Sequence, residues 1–298
     1  MQTRRLLPPV FLLAAILPAA AQEGAKEPLP TVPEIIAKLQ ARERAAKTVM
    51  LTMRSRTTVP DGPTFETEGT LRVLGTTHFH VKMRMRADEG IEGQHEVVTT
   101  PEGSWTREVN PMQGEVITRM SKETMAALKE AEDLLGEDGP PGAVPGQSEA
   151  PLGSAMLASL AKHFDLAVQG KIVRNGLDHW LLRGDVRPGV QGEVEGPVPD
   201  RVEVLVQVLK GEPFAVARMT QFDDGAEVMT VEINDVQLDL PLAESSFQMD
   251  TKGRRVIDVM DHPEAAAQIR EVLDRAKAKR EEKGNAKDGK DGGQDRGK

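Results

Sequence analysis

Residues 69–120 read GTLRVLGTTHFHVKMRMRADEGIEGQHEVVTTPEGSWTREVNPMQGEVITRM. Within this stretch, 78–86 alternate strictly: Phe79, Val81, Met83 and Met85 against His78, His80, Lys82, Arg84 and Arg86. A strand sends successive side chains to opposite faces. The segment therefore predicts a half-buried antiparallel strand with an apolar inner face and a basic outer face. Short runs at 71–74, 96–100, 105–109 and 115–120 flank it, with Gly, Pro or Asn in the gaps. Together they predict a meander of one-sided strands whose apolar face needs a cover.

Upstream, 48–59 sets Val49, Leu51 and Met53 against Met50, Thr52 and Arg54, turns at Pro60-Asp61-Gly62-Pro63 and returns through 64–74. Ahead of it, Thr31-Val32-Pro33-Glu34 has the spacing of a capping box, with proline tolerated in the first turn. Ile35, Ile36, Leu39 and Ala46 continue as a helical stripe that should lie across the sheet. Downstream, Ser121 can cap a helix to about 135 with Met125, Leu128, Ala131 and Leu135 on one side. The run 136–151, GEDGPPGAVPGQSEAP, is a loop by composition, and 152–163 forms a second helix with Met156, Leu157 and Leu160. Two helices bracketing a loop predict a lid inserted at 121–163; ordinary helix-on-sheet packing is the alternative. Strands resume at 166–174, 177–184, 201–210, 214–223 and 227–239, with an Asn175-Gly176 hairpin turn. Val202, Val204, Val206 and Val208 share one face while Leu205 and Leu209 take the other, which marks a central strand. The sheet domain should span 31–262. Pro263 opens a helix to 276, and the polar run 277–298 is expected to be disordered.

The first 21 residues are not expected in the fold. Arg4 and Arg5 precede an apolar run, and Ala19-Ala20-Ala21 predicts signal-peptide cleavage after Ala21. The expected compartment is the periplasm, with secretion as the alternative, and 22–30 form a polar lead-in. There is no cysteine, so the core must suffice without disulfides. The formal charge is -9 overall, with two arginines in 1–21 and a surplus of four basic residues in 275–298. The acidic body argues against nucleic acid as a partner, because phosphate binding needs a positive surface. His78, His80 and His95 offer a legitimate ligand spacing, but Lys82, Arg84 and Arg86 would repel a cation, so no metal site is expected. Ser104 and Ser154 lie in no nucleophile-elbow context, and there is no glycine-rich phosphate loop. No catalytic residue and no cofactor is expected.

Several segments, in order, resemble the outer-membrane lipoprotein carrier proteins (LolA-like). The run 66–73, ETEGTLRV, is similar to that family's G-x-L strand, and Thr100-Pro101-Glu102-Gly103-Ser104-Trp105 with Val109-Asn110-Pro111 resembles its central hairpin. Residues 234–242, NDVQLDLPL, then Ser246-Phe247-Gln248-Met249 and Val256-Ile257-Asp258-Val259, resemble its ending. The resemblance covers about 32–259. It implies an α+β fold, mainly antiparallel: an incomplete curved β-barrel with a helical lid over an apolar hollow that holds acyl chains. It further implies a monomeric, non-enzymatic periplasmic carrier that binds acyl chains of lipoproteins or other lipids. Such a carrier receives them from an inner-membrane donor complex and passes them to an outer-membrane acceptor. An envelope sensor or interaction module on the same barrel is the alternative function. Three departures stand out. Leu74-Gly75-Thr76 replaces the family's Arg-Pro, Arg107 stands two residues after Trp105 where an aromatic is usual, and Asp250-Thr251-Lys252 replaces Pro-Pro. Aromatics are 3% with no Tyr, and Met50, Met53, Met83, Met85, Met156 and Met219 are candidates to fill the hollow instead.

Alternation and the resemblance together select the expected cavity lining: Met53, Leu71, Val73, Phe79, Val81, Met83, Met85, Trp105, Met156, Leu160 and Trp180. A one-residue slip in register would move a strand's whole set to the other face.

Overall fold

The computed structural model describes residues 28–59, 62–88, 90–112, 114–135, 153–190 and 198–288, with side chains to 281. The expected signal peptide, the loop 136–151 and the last ten residues lie outside the described residues.

Helix α1, Val32–Ala45, starts where the capping box places it. The Thr31 backbone N–H donates to Glu34 at 2.7 Å, and this bond holds the Glu34 carboxyl below the usual carboxylate range. Strands β1 (Thr48–Thr58), β2 (Thr64–Leu74), β3 (His78–Ala87), β4 (Glu92–Thr100), β5 (Gly103–Asn110) and β6 (Gly114–Ser121) form the expected meander. Helices α2 (Lys122–Leu135) and α3 (Gly153–His163) follow. Strands β7 (Ala167–Arg174), β8 (Leu177–Asp185), β9 (Arg201–Leu209), β10 (Glu212–Asp223) and β11 (Ala226–Leu238) complete the antiparallel set. Strand β12 (Val256–Asp258) and helix α4 (Pro263–Asp288) close the described chain. Asn175 and Gly176 both take positive φ, as a tight two-residue hairpin requires.

The twelve strands among the described residues form one sheet in the order β12-β6-β5-β4-β3-β2-β1-β11-β10-β9-β8-β7. Every pairing is antiparallel except β12 with β6. Among the described residues the sheet does not close: β12 and β7 are its two edges. One cluster collects side chains from the eight neighbouring strands β3 to β7 in that order, together with α1 and α3. Flat, eight strands would extend roughly 34 Å, whereas two helices side by side cover about 20 Å. A single cluster is therefore possible only because the sheet curls around them. The chain thus adopts the expected architecture, an incomplete curved antiparallel barrel with helices.

One irregularity keeps the apolar set on the inner face. The register of β11 against β1 shifts between Met50 and Thr52, leaving an extra residue at Asp235, with φ of 51°. The sequence Ile233-Asn234-Asp235-Val236-Gln237-Leu238 loses its alternation at that residue. The bulge restores it, so Ile233, Val236 and Leu238 all join the same cluster.

Two expectations are corrected. The insertion at 121–163 is not one lid. Helix α3 lies with α1 over the inner face, whereas the stripe of α2, Met125 and Leu128, meets Ile269 of α4. Further along, Ala131 and Leu135 meet Ala276, so the two helices bury each other's stripes. The last helix, expected to end at 276, continues to Asp288. Long-range contacts hold this extension: Lys279 Nζ donates to the Leu135 carbonyl at 2.9 Å, and Arg280 pairs with Glu130 at 3.0 Å.

Candidate functional site

The cross-strand register fixes which side chains share a face. Val49, Val73, Phe79 and Thr99 stand in one row. Leu51, Leu71, Val81, Val97 and Thr106 stand in the next. Met53, Gly69, Met83 and His95 form a third, and Thr67, Met85 and Gly93 a fourth. The expected lining residues Met53, Leu71, Val73, Phe79, Val81, Met83 and Met85 therefore all lie on the inner face. Burial falls along it. Leu71 is 3% exposed, Phe79 and Val81 are half-buried against the cluster, and Met85 is 47% exposed. The apolar face thus extends beyond the helices that cover its other end.

Gly69 sits between Met53 and Met83. A Cβ there would meet the Lys82 carbonyl at 2.8 Å and Met83 Cγ at 2.9 Å. The glycine lets the Lys82 carbonyl and Met83 of β3 approach β2 closely at the middle of this face.

The cover is built from α1 and α3 together. Ile35 and Leu39 of α1 and Leu157 of α3 are fully buried in the cluster, with Leu160 and Met156 beside them. Glu43 of α1 accepts from the Ser154 backbone N–H at 3.0 Å and from its hydroxyl, capping the first turn of α3. At its other side α1 is tied to β10, where Lys38 pairs with Glu212 at 2.7 Å and Arg42 lies 5.0 Å over the Phe214 ring. Trp180, on β8, shares the inner face through its pairing with Val206 and packs against the same cluster. Its indole nitrogen is sealed from solvent and has no hydrogen-bond partner.

Trp105 does not join this set. It pairs with Val98 and Arg119, hence with the row of His80 on the outer face, and the Arg119 guanidinium lies 5.7 Å over its ring. The reason is local: β5 carries no apolar stripe, and its neighbour β4 offers Val97 and Val98 to opposite faces. Met50 likewise faces outward, opposite Arg72 and Gln237. Sequence reasoning missed the buried inner-face Val97 and the Thr99–Ser104 hydroxyl pair, 3.0 Å apart. The alternation of β4 from His95 to Thr99 carried that signal.

The outer face is of a different kind, and it divides. After β11 the chain crosses behind β3 to β6 before entering β12. Phe247, 1% exposed, is edge-on to the His78 ring, and the Ser246 carbonyl lies 3.3 Å from His80 Nδ1. Val98 and Ile117 are sealed on this side. A chain of polar side chains runs alongside. His80 Nε2 meets Glu96 at 2.9 Å, Glu96 meets Arg107 at 3.4 Å, Arg107 meets Glu115 at 2.5 Å, and Arg254 meets Glu115 at 3.3 Å. The basic outer stripe is therefore roofed at His78 and His80.

Its other half stays open. Arg84 and Arg86 both pair with Glu92, whose carboxyl the Arg84 hydrogen bond holds below the usual range. A depression of about 580 Å³ lies here, lined by Thr52, Arg54, Glu68, Thr70, Lys82 and Arg84 together with Met53, Gly69 and Met83. His95 faces inward, opposite Met83, so the three histidines of this region do not converge. Among the described residues no group of three His, Cys, Asp or Glu could hold a metal ion. Among them, too, no helix is long and apolar enough to cross a membrane.

No family model matches the chain, and no curated protein matches it. Solved structures similar to it include an uncharacterized conserved protein from Thermus thermophilus. That alignment has 12% identity and a TM-score of 0.40, and covers 76% of this chain and 98% of the other. A chain of the Pseudomonas aeruginosa MucA/MucB complex aligns at 12% identity and a TM-score of 0.39, over 74% of this chain and 61% of that one. A LolA superfamily protein from Nitrosomonas europaea aligns at 11% identity and a TM-score of 0.28, over 74% and 99%.

Proposed function

We propose that this protein is a non-enzymatic carrier that holds an acyl chain of a lipid or lipoprotein against the inner face of its open barrel. One observation carries the reading: the apolar inner face continues past its helical cover, from buried Leu71 through Val81 and Met83 to half-exposed Met85. Each methylene placed on such a surface contributes about 0.8 kcal/mol. Methionine suits chains of varied length and unsaturation, because its unbranched thioether repacks easily. The α1–α3 pair is the element that would shift or lengthen the cover as a chain enters. The signal-peptide pattern of residues 1–21 supports a periplasmic setting, with transfer toward the outer membrane as the direction of traffic.

The test is native mass spectrometry of the chain from Gln22, purified from a cell envelope, followed by lipid extraction. Bound phospholipid or an acylated protein supports the carrier. A protein that arrives empty and also fails to take up a fluorescent fatty acyl ester contradicts it.

A second reading, an envelope interaction module, is favoured by the free edge at β7. That strand has no second neighbour among the described residues, and its Val173 is 70% exposed. An added strand from a partner would pair there. Specific protein capture with no bound lipid would favour it.

A further inference from the structure

Among the described residues three side-chain atoms are buried without a hydrogen-bond partner. Two of them, Asp200 Oδ1 and Arg201 Nε, belong to adjacent residues beside 191–197, which lie outside the described residues. The third, Trp180 Nε1, stands within the candidate site. Buried donors are almost always paired, so an indole N–H sealed from water and left single points to a missing acceptor.

The surroundings say which acceptor fits. On the inner face Trp180 is opposite Val206, and Leu182 and Val204 follow in the next row. Val168 of β7 pairs with Leu182 and packs against the same cluster. The charged residue opposite Trp180 is Lys171, whose ammonium is bound to Asp178 at 2.5 Å. A buried water needs two to four polar partners, and this neighbourhood supplies one free donor. A carboxylate would have to shed its hydration among valines and leucines at heavy cost. An uncharged carbonyl oxygen carried on its own hydrocarbon meets both conditions: one acceptor for one donor, with apolar atoms for the rest of the surface.

We propose that Trp180 Nε1 donates a hydrogen bond to the ester carbonyl oxygen of the bound acyl ligand, so that the site takes esterified acyl chains in preference to free fatty acids or plain hydrocarbon. The proposal rests on the acyl-binding reading. Trp180 would fix where the carbonyl end of the chain stops on the inner face.

The experiment uses the full mature chain with three probes of equal chain length: methyl palmitate, palmitate and hexadecane. Binding is followed by native mass spectrometry, and the indole N–H signals by proton–nitrogen correlation NMR, with Trp105→Phe assigning the two. The expected result is a downfield shift of the Trp180 N–H with methyl palmitate and none with hexadecane. Trp180→Phe should weaken methyl palmitate roughly three- to tenfold and leave hexadecane unchanged. An unshifted N–H in the ester complex would overturn the proposal, and so would an equal loss for ester and hydrocarbon in Trp180→Phe, which would make the ring mere packing. If none of the three probes binds, the acyl-binding reading itself fails, and the proposal with it.

Discussion

The two faces of one sheet are held by different physics. The inner face is closed by non-directional contacts: valines, leucines and methionines from eight strands meet two helices in a single cluster. The outer face is closed behind β3 to β6, which share only β3 with that cluster, by the Phe247 ring seated on His78 and by a directional row of hydrogen bonds and ion pairs from His80 to Arg254. Apolar contact tolerates a change of partner, whereas a hydrogen-bonded charge left without its mate is penalised. The difference makes the inner face the one whose cover the proposed carrier would exchange for a ligand, while the directional contacts behind β3 to β6 hold the strands in place.

The largest expected effect lies on the outer face. Phe247→Ala should cost about 3–5 kcal/mol in urea unfolding, since the ring plugs the strap against His78 and has no solvent to fall back on. A loss under about 1 kcal/mol would mean that the strap is ornamental. Next comes Gly69→Ala, where the new methyl must push against a backbone carbonyl and Met83. About 1–3 kcal/mol is expected, with acyl uptake reduced alongside; intact uptake at that cost would separate this close approach from the site. Glu96→Gln removes the charge that joins His80 to Arg107. It should lower the unfolding free energy by about 1–3 kcal/mol without touching acyl affinity, and a change in affinity would show that the faces are coupled. The smallest effect on stability belongs to Met85→Ala, within about 0.5 kcal/mol, because the side chain is half in solvent already. Ester binding should nonetheless fall roughly three- to tenfold, measured by displacement of a fluorescent acyl ester; unaltered binding would remove this end of the face from the site.

Much of this was legible in the residues themselves. The strict alternation of β3 set the inner face, the valines of β9 set a second wall of it, and Thr31 with Glu34 set the start of α1. Local chemistry decides those features, so local sequence reveals them. Trp105 was misplaced because β5 has no stripe of its own and takes its face from the register with β4. The pairing of α2 with α4 joins stripes some 140 residues apart, Leu128 with Ile269, and each helix alone could equally have packed on the sheet. The continuation of α4 past 276 depends on Lys279 and Arg280 reaching Leu135 and Glu130, partners that a polar tail does not announce. The partnerless indole of Trp180 is a property of its surroundings and has no sequence signature at all.

The protein carries two tryptophans, and the fold places one on each face: Trp180 inside and Trp105 outside. Fluorescence quenching by an acyl ester brominated along its chain, read in Trp105→Phe and Trp180→Phe at saturating ligand, therefore reports directly which face the chain occupies. The expected result is strong quenching of Trp180 and none of Trp105. Quenching of Trp105 with Trp180 spared, or of neither in a complex shown to hold the ester, would contradict it.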